Sequence, residues 1–220
     1  FLREFMDDSV KDINDLERQT QLPILGIIPA MREKNPRKMA QLALTEPRSS
    51  LAESFRTLRT TLRFKLRESD GSNILFVTSA KANEGKTTVS VNLASTYAHA
   101  GNRVLLIDAD PQANATSGLG IDVEGVDVGT YQLLEHTCSA EESIIATNSP
   151  NVDIIPAHID LVAIEIELVD KEQREYMLKK AIAHLKSAYD YILIDCPPSL
   201  NILTVNAMVA ANSVLVPLQS

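Results

Sequence analysis

The chain has 220 residues, 21 basic and 29 acidic side chains for a formal net charge of −8, and a hydrophobic fraction of 45%. These proportions indicate a folded protein of one domain with an appendage, or of two small domains, and they exclude a largely disordered chain. The acidic balance argues against nucleic-acid binding over the whole surface. Cys138 and Cys196 match no zinc or disulfide spacing, so we interpret them as reduced core thiols of a cytoplasmic protein.

Residues 1–48 are predicted to form a helical and linker segment. Apolar residues recur at three- and four-residue steps within residues 1–19, which predicts an amphipathic helix. The run QLPILGIIPA at residues 21–30 predicts a strand or extended segment because prolines bracket it. Residues 30–48 are basic and contain prolines, which favours an exposed linker, and contact of its basic side chains with anionic lipid is the weaker alternative.

Residues 49–220 are predicted to form one α/β domain. Short apolar runs alternate with amphipathic stretches, and strands that are apolar on both faces predict a mainly parallel sheet with helices on both sides. The predicted strands are 73–79, 103–108, 152–156, 191–195 and 213–217, and the predicted helices are 51–66, 86–100, 130–136, 160–187 (continuous or broken) and 202–211.

The C-terminal residues 196–220 carry no charged side chain, which raises the question of a membrane span. Prolines and asparagines interrupt this segment, and an asparagine in hydrocarbon is costly, so we interpret it as buried α/β core. The chain opens with Phe1 and ends on the fifth predicted strand, so we expect further residues on both sides.

A phosphate-binding loop is predicted between the first strand and the helix that follows. The strand NILFVTS runs into AKANEGKTT and then a helix, and backbone N–H groups in such a turn point at an anion. Lys86 is expected to neutralise the β- and γ-phosphates and the Thr87 hydroxyl to reach Mg²⁺. Ala80 stands where the standard pattern has glycine. The predicted cradle comprises Lys81, Ala82, Asn83, Glu84, Gly85, Lys86, Thr87 and Thr88.

Three aspartates follow predicted strands on the side of the sheet where α/β proteins bind ligands. Of Asp108 and Asp110, one is expected to position the attacking water or act as a base and the other to hold Mg²⁺ through water. Asp195 fits a second magnesium carboxylate, so the predicted metal set is Thr87, Asp108 and Asp195. A single aspartate after a strand is often only a helix cap. The absence of an Asn-Lys-x-Asp guanine signature favours ATP.

From about residue 85 onward the chain resembles the ParA/Soj partition ATPases of the deviant P-loop superfamily that includes MinD. The resemblance is carried by GKTTVSVNLA, by VLLIDADPQANATSGLG and by YDYILIDCPPSLNILTVNAMVAANSVLVPLQS. It implies an ATP-dependent dimerisation switch for DNA partition or cargo positioning, with a partition partner protein and DNA. In this superfamily a lysine at the position of Lys81 reaches the nucleotide of the dimer partner and acts in catalysis. A solvated loop lysine is the alternative.

Before about residue 85 the chain resembles the cytoplasmic part of bacterial polysaccharide chain-length regulators with a tyrosine autokinase. The matching stretches are FLREFMDDSVKDINDLERQTQLPILGIIP and SLAESFRTLRTTLRF, and the second contains Glu53, Arg56 and Arg59 as an E-x-x-R-x-x-R oligomerisation motif. This resemblance implies a ring-forming homo-oligomer, a membrane-embedded polysaccharide export complex as partner, and a place at the inner face of the plasma membrane. On spacing alone, the triplet fits a solvated face with an intrahelical ion pair equally well.

The departures from each family favour an ATPase switch over a protein-tyrosine autokinase. Gln112 stands where the autokinases carry an arginine, and their C-terminal tyrosine cluster has no counterpart here. Against the partition ATPases, Ala82 and Asn83 replace two glycines, and no basic DNA-binding surface is visible in this chain. A non-catalytic ATP-binding scaffold is the third alternative.

Overall fold

A computed structural model describes residues 17, 21–29, 42, 45–46, 48–67, 74–79 and 85–218. The predicted N-terminal helix and the basic linker lie largely outside these residues. The loop residues 81–84 also lie outside them, so the predictions for Lys81, Ala82, Asn83 and Glu84 stay sequence-based.

Strands from the described residues form one mainly parallel sheet, which confirms the predicted α/β fold. The strand order is β3-β4-β2-β5-β1-β6, and the short edge strand β3 alone runs antiparallel to its neighbour. Every residue of β1, β2 and β5 is buried, as expected for central strands covered on both faces. The strands are β1 Ile74–Val77, β2 Val104–Asp108, β3 Ile145–Ala146, β4 Val152–Ile155, β5 Tyr191–Asp195 and β6 Ser213–Leu215.

Helices cover both faces of this sheet and enclose two apolar cores. The helices are α1 Ser50–Arg67, α2 Lys86–His99, α3 Asn114–Gly118, α4 Thr130–Glu135, α5 Ile164–Glu167, α6 Met177–Ala181 and α7 Ile202–Ala210. One core contains side chains of α1 and α2 together with Leu75 and Val77 of β1. The other contains side chains of the helices α4, α5, α6 and α7 together with Ile74 and Phe76 of β1. Successive side chains of β1 therefore point to opposite faces of the sheet and pack in different cores.

Helix α1 is part of this layered domain, and its boundaries follow from its sequence. The Ser49 hydroxyl accepts a hydrogen bond from the Ala52 N–H at 3.1 Å and so caps the helix. Of the predicted motif, Arg56 forms an ion pair with Glu53, and Arg59 donates to the Thr96 carbonyl of α2 at 2.9 Å. Arg59 therefore ties α1 to α2, and an oligomer contact through the triplet stays a prediction.

The sequence reading missed three elements and left one region open. It missed the two-residue edge strand β3, the short helix α3 and the 3₁₀ turn Val123–Gly125. The region predicted as one helix or several at 160–187 is broken into short α and 3₁₀ segments. Gln173 has a left-handed backbone with φ of 54°, which no continuous α-helix allows, so the chain changes direction there.

In the described part of the chain, no helix combines the length and the apolar character that a membrane crossing requires. The uncharged C-terminal stretch instead supplies α7 and the edge strand β6. Leu203, Ala207 and Ala210 of α7 are buried in the core, as predicted, whereas Leu200 and Met208 are exposed, so the stretch is only partly core.

We predict that Gly129→Ala destabilises the fold. A Cβ atom at Gly129 would lie 2.3 Å from the Pro156 carbonyl oxygen, which already accepts the Thr130 N–H at 2.9 Å. The backbone must shift to relieve this overlap, which costs about 1–3 kcal/mol in the free energy of unfolding. Urea denaturation measures the change. Gly125→Ala is the matched control, since no atom lies within 4 Å of its Cβ position, and equal losses in both variants would contradict the prediction.

Candidate nucleotide site

The candidate site lies at the carboxyl ends of three neighbouring strands. Strands β2, β5 and β1 are adjacent in the sheet, and Asp108 at the end of β2 is in register with Asp195 at the end of β5. Asp195 is in turn in register with Val77 of β1, from which the chain leads to α2. The parallel topology therefore brings together carboxylates that lie far apart in the sequence.

Helix α2 begins at this edge of the sheet. Its N-cap is Gly85, which has a left-handed backbone with φ of 78°, a conformation that glycine adopts without steric cost. Free backbone N–H groups and the positive end of the helix dipole make such an N-terminus favourable for an anion. The predicted strand-to-helix context of the phosphate loop is therefore present.

Lys86, the first residue of α2, forms a buried ion pair with Asp110. The Lys86 Nζ lies 3.0 Å from the Asp110 Oδ2, and the two residues are only 7% and 3% exposed. The other oxygen of Asp110 accepts the Gln112 N–H at 3.0 Å. The ammonium is thus held among the carboxylates at the start of α2, where a phosphate would compete with Asp110 for it.

Asp195 receives two hydroxyl groups from α2. Thr87 Oγ1 donates to one carboxylate oxygen at 2.8 Å, and Ser90 Oγ donates to the other at 2.8 Å. Thr87 was predicted for this place, whereas Ser90 was missed. The spacing of Ser90 from Thr87 could have predicted it, because residues three apart in a helix lie on the same face.

Asp108 is fully buried and is held by the segment that follows β2. Its Oδ1 accepts the Asp110 N–H at 3.1 Å, and its Oδ2 accepts the Thr116 N–H at 2.8 Å and the Thr116 hydroxyl at 2.7 Å. The Thr130 hydroxyl donates to the Asp108 carbonyl at 2.6 Å. Sequence reading missed Thr116 and Thr130, since no spacing rule relates either one to Asp108.

Burial raises the pKa values of both strand-end aspartates. Burial, and next the negative charge of Asp195, raise the pKa of Asp108 to about 7. Burial raises the pKa of Asp195 to about 6, against the opposing effects of Lys86, Thr87 and Ser90. Two buried carboxylates side by side repel each other when both are ionised, so a cation near both would be strongly stabilised.

The oxygen atoms near Thr87 fit a magnesium ion. The Thr87 hydroxyl and the Asp195 carboxylate are hard oxygen donors within 2.8 Å of each other. Among the described residues, no group of three or more His, Cys, Asp or Glu side chains is arranged to hold a metal ion by itself. Mg²⁺ commonly takes one or two protein oxygens and completes its shell with phosphates and water, which matches this donor set.

Five predicted site residues converge in this cluster. They are Lys86, Thr87, Asp108, Asp110 and Asp195. Thr88 lies in the first turn of α2, where its carbonyl accepts the side-chain amide of Asn92 at 2.9 Å. The predicted metal residue Asp108 directs its oxygens to Asp110 and Thr116, whereas Asp195 is bonded directly to Thr87.

Comparison with known proteins assigns this chain to a family. A family model described as an AAA domain matches residues 72–220. The chain belongs to this family. The sporulation initiation inhibitor protein Soj of Bacillus subtilis (strain 168) is 50% identical over 146 residues, which make up 66% of this chain and 58% of Soj. The predicted relationship to the ParA/Soj P-loop ATPases is thereby confirmed, for a chain that spans little more than half the length of that relative.

Solved structures support the same assignment. Cobyrinic acid a,c-diamide synthase from Mycobacterium smegmatis, with bound ATP analog and magnesium, is 37% identical with a TM-score of 0.65, over 67% of this chain and 60% of the other. The chimerical protein CapA2B2 has a TM-score of 0.71 over 92% of this chain and 83% of the other, at 23% identity. This second likeness shows the fold alone. The autokinase resemblance of the earlier residues stays a prediction from sequence.

We predict that Ser90→Ala lowers the free energy of unfolding by about 1–3 kcal/mol, because it leaves a buried carboxylate oxygen of Asp195 without a donor. Ser95→Ala is a matched control on the same helix. Ser95 is equally buried, and its hydroxyl has no hydrogen-bond partner, so its loss is expected to be neutral or stabilising. Urea denaturation of both variants tests this, and a larger loss for Ser95→Ala would refute it.

Proposed function

We propose that this chain is an ATP-dependent switch of the ParA/Soj type, which binds Mg-ATP at residues 81–88 and hydrolyses it. The observation that carries the proposal is the cluster at the start of α2, in which Lys86 is paired with Asp110 and Thr87 with Asp195. A chain 50% identical to Soj over 146 residues supplies the family context. The bound ATP analog and magnesium of the cobyrinic acid a,c-diamide synthase structure support the nucleotide and the metal.

Each residue of the cluster has a distinct role in this proposal. Lys86 neutralises the β- and γ-phosphates in place of its ion pair with Asp110. Thr87, with Asp195 and Asp108, holds Mg²⁺, which neutralises phosphate charge when bound. Asp110 is then free to orient the attacking water or to accept its proton, and Asp108 fixes the backbone of Asp110.

The proposed switch works between two copies of the chain. Lys81 of one copy reaches the γ-phosphate bound by the other and stabilises the charge that develops during transfer to water. The segment 111–120, which includes α3, and the loop 196–201 respond to the presence of that phosphate. We propose partition of DNA, or positioning of another cargo, as the output, with a partition protein and DNA as partners in the cytoplasm.

We predict that the purified protein releases phosphate from γ-labelled ATP in the presence of Mg²⁺ without labelling itself. Water is the expected acceptor because the buried carboxylates lie beside the proposed phosphate position. Thin-layer chromatography measures the release, and phosphoamino-acid analysis detects transfer to protein. Label on tyrosine would support the autokinase alternative and contradict the proposal.

Lys86→Ala is expected to weaken nucleotide binding by about 10- to 100-fold, the loss typical of a charge-assisted contact. Fluorescence titration with a labelled ATP analogue measures the affinity, and circular dichroism verifies the fold because Asp110 loses its partner. Lys65→Ala, an exposed lysine of α1, is the matched control and is expected to bind like the original chain. Unchanged affinity in Lys86→Ala would remove the phosphate-cradle assignment.

Lys81→Ala is expected to retain nucleotide binding and to lose ATP-dependent dimerisation or turnover, because its proposed target lies on the other copy. Size-exclusion chromatography with light scattering measures the mass with ATP and with ADP. A mixture of the Lys81→Ala and Lys86→Ala chains gives a sharper test. In a dimer of the two, the Lys81→Ala chain keeps Lys86 in its own site, and that site receives Lys81 from the Lys86→Ala chain. If Lys81→Ala hydrolyses ATP and dimerises like the original chain, the prediction is wrong and Lys81 is a solvated loop residue.

A further inference from the structure

Thr116 joins two parts of the structure through a single buried hydroxyl. It lies in α3 with no exposed surface, and its hydroxyl donates to the Asp108 Oδ2 at 2.7 Å. The same hydroxyl accepts the Ala157 N–H, from the segment that follows β4, at 3.0 Å. It therefore bridges a strand-end carboxylate of the site and the backbone of a neighbouring segment.

The segment after β4 is anchored to Asp108 by a second route. Thr130, at the start of α4, donates its hydroxyl to the Asp108 carbonyl at 2.6 Å. Its N–H donates to the Pro156 carbonyl at 2.9 Å. Residues 156 and 157 and the end of β2 are thus held together through the hydroxyls of Thr116 and Thr130.

From Asp108 the contacts continue to the ammonium of the site. The Asp108 Oδ1 accepts the Asp110 N–H, and the Asp110 Oδ2 lies 3.0 Å from the Lys86 Nζ. A displacement of the Asp108 carboxylate would therefore move the backbone from which the Asp110 side chain projects. Thr116 touches neither Asp110 nor Lys86 in any of these contacts, so its influence on them passes through Asp108.

We propose that Thr116 is a positioning residue for ATP hydrolysis, which holds Asp108 and, through it, Asp110. This inference rests on the proposed function. The position between the Asp108 carboxylate and the Ala157 N–H requires a group that donates to the first and accepts from the second, and a hydroxyl does both. Valine has nearly the same shape and can do neither, whereas the N–H of residue 116 keeps its own bond to Asp108 in every variant.

The test compares Thr116→Val with Thr116→Ser. We expect Thr116→Val to lower kcat for ATP hydrolysis by about 10- to 100-fold, the loss typical when an outer partner of a site is removed. KM for ATP is expected to stay within about twofold, because Lys86, Thr87 and Asp195, which bind the phosphates and Mg²⁺ in this proposal, form none of the hydrogen bonds described for Thr116, and the Thr116 N–H still holds Asp108. Thr116→Ser keeps the hydroxyl and is expected to restore kcat. Thr147→Val is the matched control, since its hydroxyl bonds within the β3–β4 turn.

Hydrogen–deuterium exchange supplies a readout that does not depend on turnover. The Ala157 amide loses its acceptor in Thr116→Val, so we expect it to exchange faster in that variant and at the original rate in Thr116→Ser. Thr116→Ala is a second hydroxyl-free variant. Unfolding of both hydroxyl-free variants would overturn the positioning role and leave Thr116 a stability element.

The remaining outcomes separate the inference from the proposed function. If the original chain hydrolyses ATP and Thr116→Val matches it in kcat, the inference fails and the proposed function stands. A rise in KM equal to the loss in kcat, or unchanged exchange at Ala157, also overturns the inference. If the original chain releases no phosphate from ATP, the proposed function itself fails and the inference falls with it.

Discussion

Two carboxylates that lie side by side without exposed surface determine how the rest of this site is built. Asp108 and Asp195 are in register at the ends of adjacent parallel strands, and both are fully buried. Burying a carboxylate costs several kcal/mol unless donors surround it. The first turn of α2 supplies hydroxyls to Asp195, and the segment from 110 to 116 supplies N–H and hydroxyl donors to Asp108. Two stretches of chain are thereby fixed to the pair.

The charge balance of the cluster explains why it suits a nucleotide with a divalent cation. Asp108, Asp110 and Asp195 lie near the buried ammonium of Lys86, which is paired with Asp110. Beyond burial, the charge of Asp195 contributes to the raised pKa of Asp108, and the charge of Asp110 contributes to the raised pKa of Asp195. A divalent cation neutralises the excess negative charge, while the N-terminus of α2 favours the phosphates. Cation and anion therefore stabilise each other's place in the site.

The helix that precedes the matched family region belongs to the same layered fold. Phe55 and Leu58 of α1 pack in the core shared with α2, and Arg59 bonds to the α2 backbone. The likeness to CapA2B2 over 92% of the chain agrees with this packing. Helix α1 is therefore part of the same structural unit as the matched region, because it covers the sheet face next to α2.

The sequence by itself determined the five longer strands, the helices around them and five residues of the site, but not β3, α3 or the breaks within 160–187. Apolar runs and the Gly-Lys-Thr spacing are local patterns, and the three aspartates lie at or just after the ends of two strands, so those predictions needed no knowledge of distant contacts. The tertiary structure alone decided which groups hold these aspartates. Ser90 reaches Asp195 because β1, which leads into α2, lies beside β5, and Thr116 and Thr130 reach Asp108 because the chain after β2 folds back over the end of that strand. Such pairings depend on how strands are ordered in space, which local periodicity does not encode.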